Sequence, residues 1–189
     1  MTVESAGIAY VSEPTSLQLD ADAPLPEGLA EKTRGVETPK FVIGWREWLA
    51  LPDLGILGIK AKVDTGARTS ALHTHDYRVF QREGEDWVRF HLHPLRRRQK
   101  LELECEARVI DYREVKDSGG HIERRPFIRA RATIGGFSWE IDLSLTNREG
   151  MKFRMLLGRV AVAGLFIVDP ACSYLMGKSL AGQYSPPHP

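Results

Sequence analysis

Two cysteines, Cys105 and Cys172, are all that the 189 residues hold. So few exclude a disulfide framework and a cysteine-rich zinc module, and a reduced, cytoplasmic protein is the expectation. No apolar run approaches the ~20 residues that a membrane-crossing helix needs. The opening stretch, MTVESAGIAYVSEPTSLQLD, has neither the basic start nor the apolar centre of a secretory leader. No internal repeat is visible. There is no HExxH pair, and no glycine-rich cradle leads into Met176-Gly177-Lys178-Ser179, where a phosphate loop would need a glycine in place of Cys172. A nucleotide site is therefore not expected.

A strong charge of one sign is also missing, the formal net being +1. That figure hides an asymmetry: residues 1–38 hold seven acids and two bases, and the remainder 18 acids and 24 bases. So mild a basic excess, without interleaved aromatics, does not point to nucleic acid. It leaves an acidic partner open.

What is present reads as one soluble globular domain between two tails, with 42% hydrophobic and 27% charged residues. Residues 1–38, with scattered prolines and no sustained apolar period, read as a disordered acidic tail. Residues 39–179 read as the folded part and 180–189, ending in SPPHP, as a second disordered tail. Within the fold the signal is strand. DYRVFQRE and DWVRFHLH bracket Gly84, and PFIRARATI and FSWEIDLSL bracket Gly135-Gly136, each pair a hairpin with a glycine turn. In IRARATI, the residues Ile128, Ala130, Ala132 and Ile134 share one face and Arg129 and Arg131 the other. LELECEARVIDYREV runs to the turn signal Asp117-Ser118-Gly119-Gly120. Only RVAVAG, after Gly158, reads as a short helix. The expectation is an all-β closed barrel or sandwich with one short C-terminal helix.

One motif carries chemistry. Ile59, Ala61 and Val63 alternate toward one face and deliver Asp64 at a sharp turn, followed by Thr65, Gly66 and Ala67. Gly66 permits close approach of another chain, and the Thr65 hydroxyl is suited to fixing the loop. A lone carboxylate hydrolyses little. Two such loops face to face would hold two carboxylates about 3 Å apart sharing one proton, so that one activates water while the other polarises a carbonyl.

The run KAKVDTGARTSALH, followed by Met155-Leu156-Leu157-Gly158-Arg159 and by FIVDP, resembles the retropepsin-like aspartic peptidases. It is most similar to a bacterial subfamily historically labelled "ATP-dependent zinc protease", some members of which accompany RimK-type ATP-grasp glutamate ligases. The resemblance covers roughly residues 40–178. It implies an aspartic endopeptidase acting on peptide or protein substrates, with Asp64 as the catalytic acid. Thr65, Gly66 and Ala67 would support the loop, with Leu156, Leu157 and Gly158 behind it, and Ser118, Gly119 and Gly120 would form a flap tip. It implies no cofactor and no metal. A second Asp-Ser-Gly at Asp117 lacks a leading apolar strand, and the stretch between the two motifs is too short for a complete lobe with its own core, so one motif per chain implies a C2 homodimer.

Two departures stand out. Viral retropepsins place an acid where this chain has Arg68, which would repel Arg159 unless each finds another partner. The flap hairpin is long and charged, with Arg113, Lys116, Arg124 and Arg125. Arg68 with Arg96, Arg97 and Arg98 forms a candidate contact for an acidic peptide, such as a glutamate tail. An alternative from another class is a non-catalytic module that regulates a RimK-type ligase or binds its glutamate-tailed product. His73-Thr74-His75-Asp76 and His91-Leu92-His93 could set ring nitrogens on one face, but such pairs also arise on solvated strands, and no metal is assigned to them.

Overall fold

A computed structural model describes residues 41–95, 100–116, 119–147 and 152–184. The expected N-terminal tail, Arg96–Arg98, Asp117, Ser118 and the last five residues lie outside the described residues. The architecture is all-β. Strands β1 (Phe41–Gly44), β2 (Arg46–Leu51), β3 (Ile56–Asp64) and β4 (Ser70–His73) precede a hairpin of β5 (Asp76–Arg82) and β6 (Glu85–Leu92). The long strands β7 (Leu103–Lys116), β8 (Ile122–Ile134) and β9 (Phe137–Thr146) follow, then β10 (Met155–Gly158), the single-turn helix α1 (Arg159–Val162) and β11 (Phe166–Asp169).

The turns are where the glycines predict them. Glu83 and Gly84 both take positive φ between the paired residues Arg82 and Glu85. Gly135 and Gly136 do the same between Ile134 and Phe137. Two-residue loops of this left-handed kind match the twist of the strands they join.

Nine strands form one sheet in the order β2-β3-β10-β4-β9-β8-β7-β6-β5. A single further bridge, Ala50 to Thr133, joins β2 to β8 and brings β2, β3, β10, β4, β9 and β8 into a ring. The ring is therefore closed by one residue pair and is not a regular barrel; β7, β6 and β5 continue the sheet beyond it. The sequence at the seam explains the closure. Leu49, Ala50 and Leu51 are buried consecutively, and the register slips between Leu49 and Leu51, as a bulged strand does when it turns from one partner to another. A similar slip lies in β7 between Val109 and Asp111, opposite Phe127 and Ile128 of β8, which are both fully buried.

The core inside the ring is aliphatic, with Leu49, Ile59, Leu72, Ile128, Leu143, Met155 and Leu157 each fully buried. Burying such a side chain contributes about 1.5–3 kcal/mol. Outside it, β1 and β11 pair in parallel as a separate two-stranded sheet. The ordered chain also runs past the boundary expected at residue 179. Ser179–Gly182 form a 3-10 turn, the backbone N–H of Gly58 donates to the Tyr184 hydroxyl (3.3 Å), and a Cβ on Gly58 would lie 2.4 Å from the Leu180 carbonyl oxygen.

Candidate active site

Strand β3 alternates buried Ile59, Ala61 and Val63 with outward Lys60 and Lys62, and ends on Asp64. Beside it β10 runs parallel, with Leu156 opposite Lys62, Leu157 opposite Val63 and Gly158 opposite Asp64. The first motif and the Leu-Leu-Gly element, far apart in the chain, are thus neighbours in the sheet. Gly158 is required by contact and not by conformation: a Cβ there would meet the Thr69 carbonyl carbon at 2.4 Å and its oxygen at 2.5 Å. The Gly158 N–H donates to Ser70 Oγ (3.0 Å), and Ser144 Oγ donates to the Ser70 carbonyl (3.1 Å), so a buried hydroxyl pair ties β10 to β4 and β9.

The loop after Asp64 folds back on its carboxylate. Oδ1 accepts the backbone N–H groups of Gly66 (3.1 Å) and Ala67 (3.2 Å), and Oδ2 accepts from the Lys62 ammonium (3.0 Å). The Lys62 hydrogen bond, opposed by burial and aided by the two backbone N–H groups, holds the Asp64 carboxyl below the usual aspartate range. The carboxylate is partly open to solvent, its side chain 26% exposed.

Helix α1 begins where β10 ends and closes the loop from the other side. The N–H of Arg159 donates to the Ala67 carbonyl (2.8 Å) and that of Val160 to the Arg68 carbonyl (3.1 Å). The Arg159 guanidinium donates through Nη1 to the Thr65 carbonyl (3.0 Å). This resolves the expected clash of Arg68 with Arg159: Arg159 is occupied by backbone, and Arg68 is exposed on the loop. Through its carbonyl, Thr65 joins Ala67 and Arg68 in tying the loop to the start of α1.

Gly119 and Gly120 lie exposed at the tip of the β7–β8 hairpin, Gly120 with φ +85°. Three of the hairpin's cations, Arg113, Arg124 and Arg125, are engaged. Arg113 pairs with Asp111 (2.8 Å) and Asp142 (3.3 Å) over the Phe127 ring, and Arg124 stacks on Tyr112. Arg125 is buried and bonded to Glu123 (2.7 Å).

Three features escaped the sequence reading. Lys62 shares a strand face with Asp64, a signal the alternation of β3 already contained. Glu47 is completely buried and accepts the N–H groups of Gly44, Leu175 and Met176. Glu102 joins His75 and His93, their donor atoms all within 4.8 Å of one another. Of the cysteines, Cys105 is buried and burial pushes its thiol up to about 11, as befits an inert core residue. Cys172 is half-buried.

A family model described as RimB-like, retropepsin-like aspartic endopeptidase RimB, matches residues 42–179. The chain belongs to the RimB-like family. Among sequence relatives of this RimB-like chain are proteins named probable alpha-L-glutamate ligase. The one from Shewanella halifaxensis is 50% identical over 139 residues, covering 74% of this chain and 30% of the relative. The one from Parasynechococcus marenigrum is 41% identical over 153 residues, covering 79% and 33%. The RimB-like chain thus spans about a third of the length of these curated relatives. The crystal structure of Lpg0085, a protein of unknown function from Legionella pneumophila, superposes with a TM-score of 0.62 at 26% identity, covering 73% of this chain and 99% of that one. Among the described residues no helix is long and apolar enough to cross a membrane.

Proposed function

We propose that this RimB-like chain is a cytoplasmic aspartic endopeptidase that acts as a homodimer, each copy contributing one Asp64. The observation that carries the reading is the carboxylate itself, presented at the end of β3, held by the Gly66 and Ala67 N–H groups and flanked by Gly158 of β10. Two such groups brought together about 3 Å apart share one proton, since both cannot ionise at that distance. The ionised Asp64 takes a proton from water, which attacks the scissile carbonyl. The protonated Asp64 donates to the carbonyl oxygen, and collapse of the tetrahedral species returns a proton to the leaving amine. Thr65, Gly66, Ala67, Leu156, Leu157 and Gly158 hold the loop, and Ser118–Gly120 cover the bound peptide.

The names of the relatives support a substrate class as well as a partner. A glutamate-tailed protein, made by a RimK-type ligase, would meet Arg68 and Arg96–Arg98 as an acidic peptide. The same names favour a second reading, in which the domain binds that ligase or its product and regulates it with little or no cleavage of its own.

The test is cleavage of a peptide library that includes glutamate-tailed members, from acidic to neutral pH, by wild type and Asp64→Asn. Cleavage abolished in Asp64→Asn establishes the peptidase. A folded dimer that cleaves nothing transfers the assignment to the regulatory module, whose effects on a ligase would survive Asp64→Ala.

A further inference from the structure

The two H-x-H pairs do not act as pairs; one member of each comes together with an acid. His75 lies in the corner between β4 and β5, His93 just past the end of β6, and Glu102 just before β7. The His75 and His93 rings are 4.1 Å apart between centroids, and His75 Nε2 is 2.9 Å from Glu102 Oε1. One ligand-type atom from each of the three lies within 4.8 Å of the others. Ligands bound about 2.1 Å from a tetrahedral metal are separated by about 3.4 Å, a spacing inside this range.

The surroundings prepare these groups for such a role. His93 Nδ1 is 3.0 Å from the Leu101 carbonyl, which can only accept, so Nδ1 carries the hydrogen and Nε2 is left as the lone-pair nitrogen. A ring nitrogen bonded to a backbone carbonyl is the usual outer support of a metal-binding histidine. His75 is fixed through its backbone: its N–H donates to the His91 carbonyl (3.1 Å), and the His75 carbonyl accepts from Asn147 Nδ2 (2.9 Å). The neighbouring His91 instead has carboxylates on both ring nitrogens, Asp76 (2.8 Å) and Glu104 (3.1 Å).

We propose that His75, His93 and Glu102 form a zinc site, with His75 Nε2, His93 Nε2 and a Glu102 oxygen as ligands and water in the fourth position, zinc displacing to solvent the proton that His75 Nε2 now shares with Glu102. Two imidazoles and a carboxylate suit a borderline divalent ion better than calcium or magnesium, which favour all-oxygen sites. The His75 and Glu102 side chains are 30% and 52% exposed, so solvent reaches the fourth position. The ion fastens the β4–β5 corner to the ends of β6 and β7. None of its ligands belongs to β3, β10 or the β7–β8 turn, so zinc plays no part in the Asp64 chemistry proposed above.

The experiment uses the full chain without an affinity tag, stripped with chelator and reloaded with zinc ion alone. Metal content after gel filtration and the absorption bands of a cobalt(II)-loaded sample are both independent of cleavage. One zinc per chain, tetrahedral cobalt bands and a Tm rise of roughly 5 °C at zinc about 100 times Kd are expected. His75→Ala and His93→Ala should each weaken zinc binding at least tenfold, and Glu102→Gln should weaken it too, while His91→Asn leaves it unchanged. Wild type that retains no zinc overturns the site, as does uptake that is unaffected in His93→Ala. Should a histidine variant fail to fold, Glu102→Gln, at an exposed position, decides: unchanged affinity overturns Glu102 as a ligand and with it the site.

Discussion

The Lys62 ammonium lies 3.0 Å from Oδ2 of Asp64, the face of the carboxylate not used by its own loop. In the single chain this contact favours the ionised form of Asp64. Replacing Lys62 with Met should raise the Asp64 pKa toward the ordinary aspartate range, which a 13C carboxyl titration will read directly. If the peptidase reading holds, the whole bell of kcat/KM against pH moves to higher pH. The stability sign is also fixed. A lowered folded pKa contributes stability above the ordinary aspartate range that is lost as pH falls through the folded value. Both side chains being partly exposed, Lys62→Met should cost at most about 1 kcal/mol at neutral pH, and less in acid.

Gly158→Ala should destabilise the fold by about 2–3 kcal/mol, because its Cβ would be driven into the Thr69 backbone, which cannot move without disturbing the β4–β10 pairing. Ser70→Ala tests the same junction more gently. It leaves the Gly158 N–H buried without its acceptor, a loss of about 1–3 kcal/mol. Urea unfolding measures both.

Arg159→Met separates site from scaffold. The guanidinium is exposed and bonds to the Thr65 carbonyl, so global stability should change by less than about 1 kcal/mol. Loosening of the Asp64 loop should nevertheless lower kcat on the order of tenfold with little change in KM, since loop geometry is what positions the acid. Arg159→Lys, which keeps one donor, should recover part of it.

Glu47 is the buried counterpart. Burial raises its pKa above the ordinary glutamate range against the pull of three backbone N–H groups from Gly44, Leu175 and Met176. With the folded pKa above the unfolded one, its titration favours the folded state most in acid, and that contribution disappears as pH rises through the folded value. Glu47→Gln should flatten this part of the stability profile. Glu47→Ala, which strands the three donors, should cost about 3 kcal/mol and loosen the segment after Tyr174.

Local chemistry was readable and distant pairing was not. The β5–β6 turn is an instance of the first: Gly84 marks a two-residue loop, and Gly135-Gly136 another, because ready access to positive φ is a property of glycine itself. Asp64 at the end of an alternating strand was likewise visible from Ile59, Ala61 and Val63. The bridge from Ala50 to Thr133 and the parallel pairing of Phe41 with Phe166 left no periodic trace, because strand order depends on surfaces remote in sequence. Glu47 reads as a polar residue on a strand face, and only the returning Leu175–Met176 segment makes it internal. Glu102 escaped for the same reason: nothing near it in the chain announces two imidazoles.

The parallel register of β3 and β10 also has a consequence in time. Thr65 and the Arg159 that anchors it are 94 residues apart in the chain. At ~5–20 residues per second, a ribosome delivers the second about 5–20 s after the first. Throughout that interval the Asp64 segment has been made but lacks its anchoring neighbour, and pairings of such long range are also slow to form. A newborn chain therefore carries its candidate acid in an unassembled loop until β10 and Arg159 have been made.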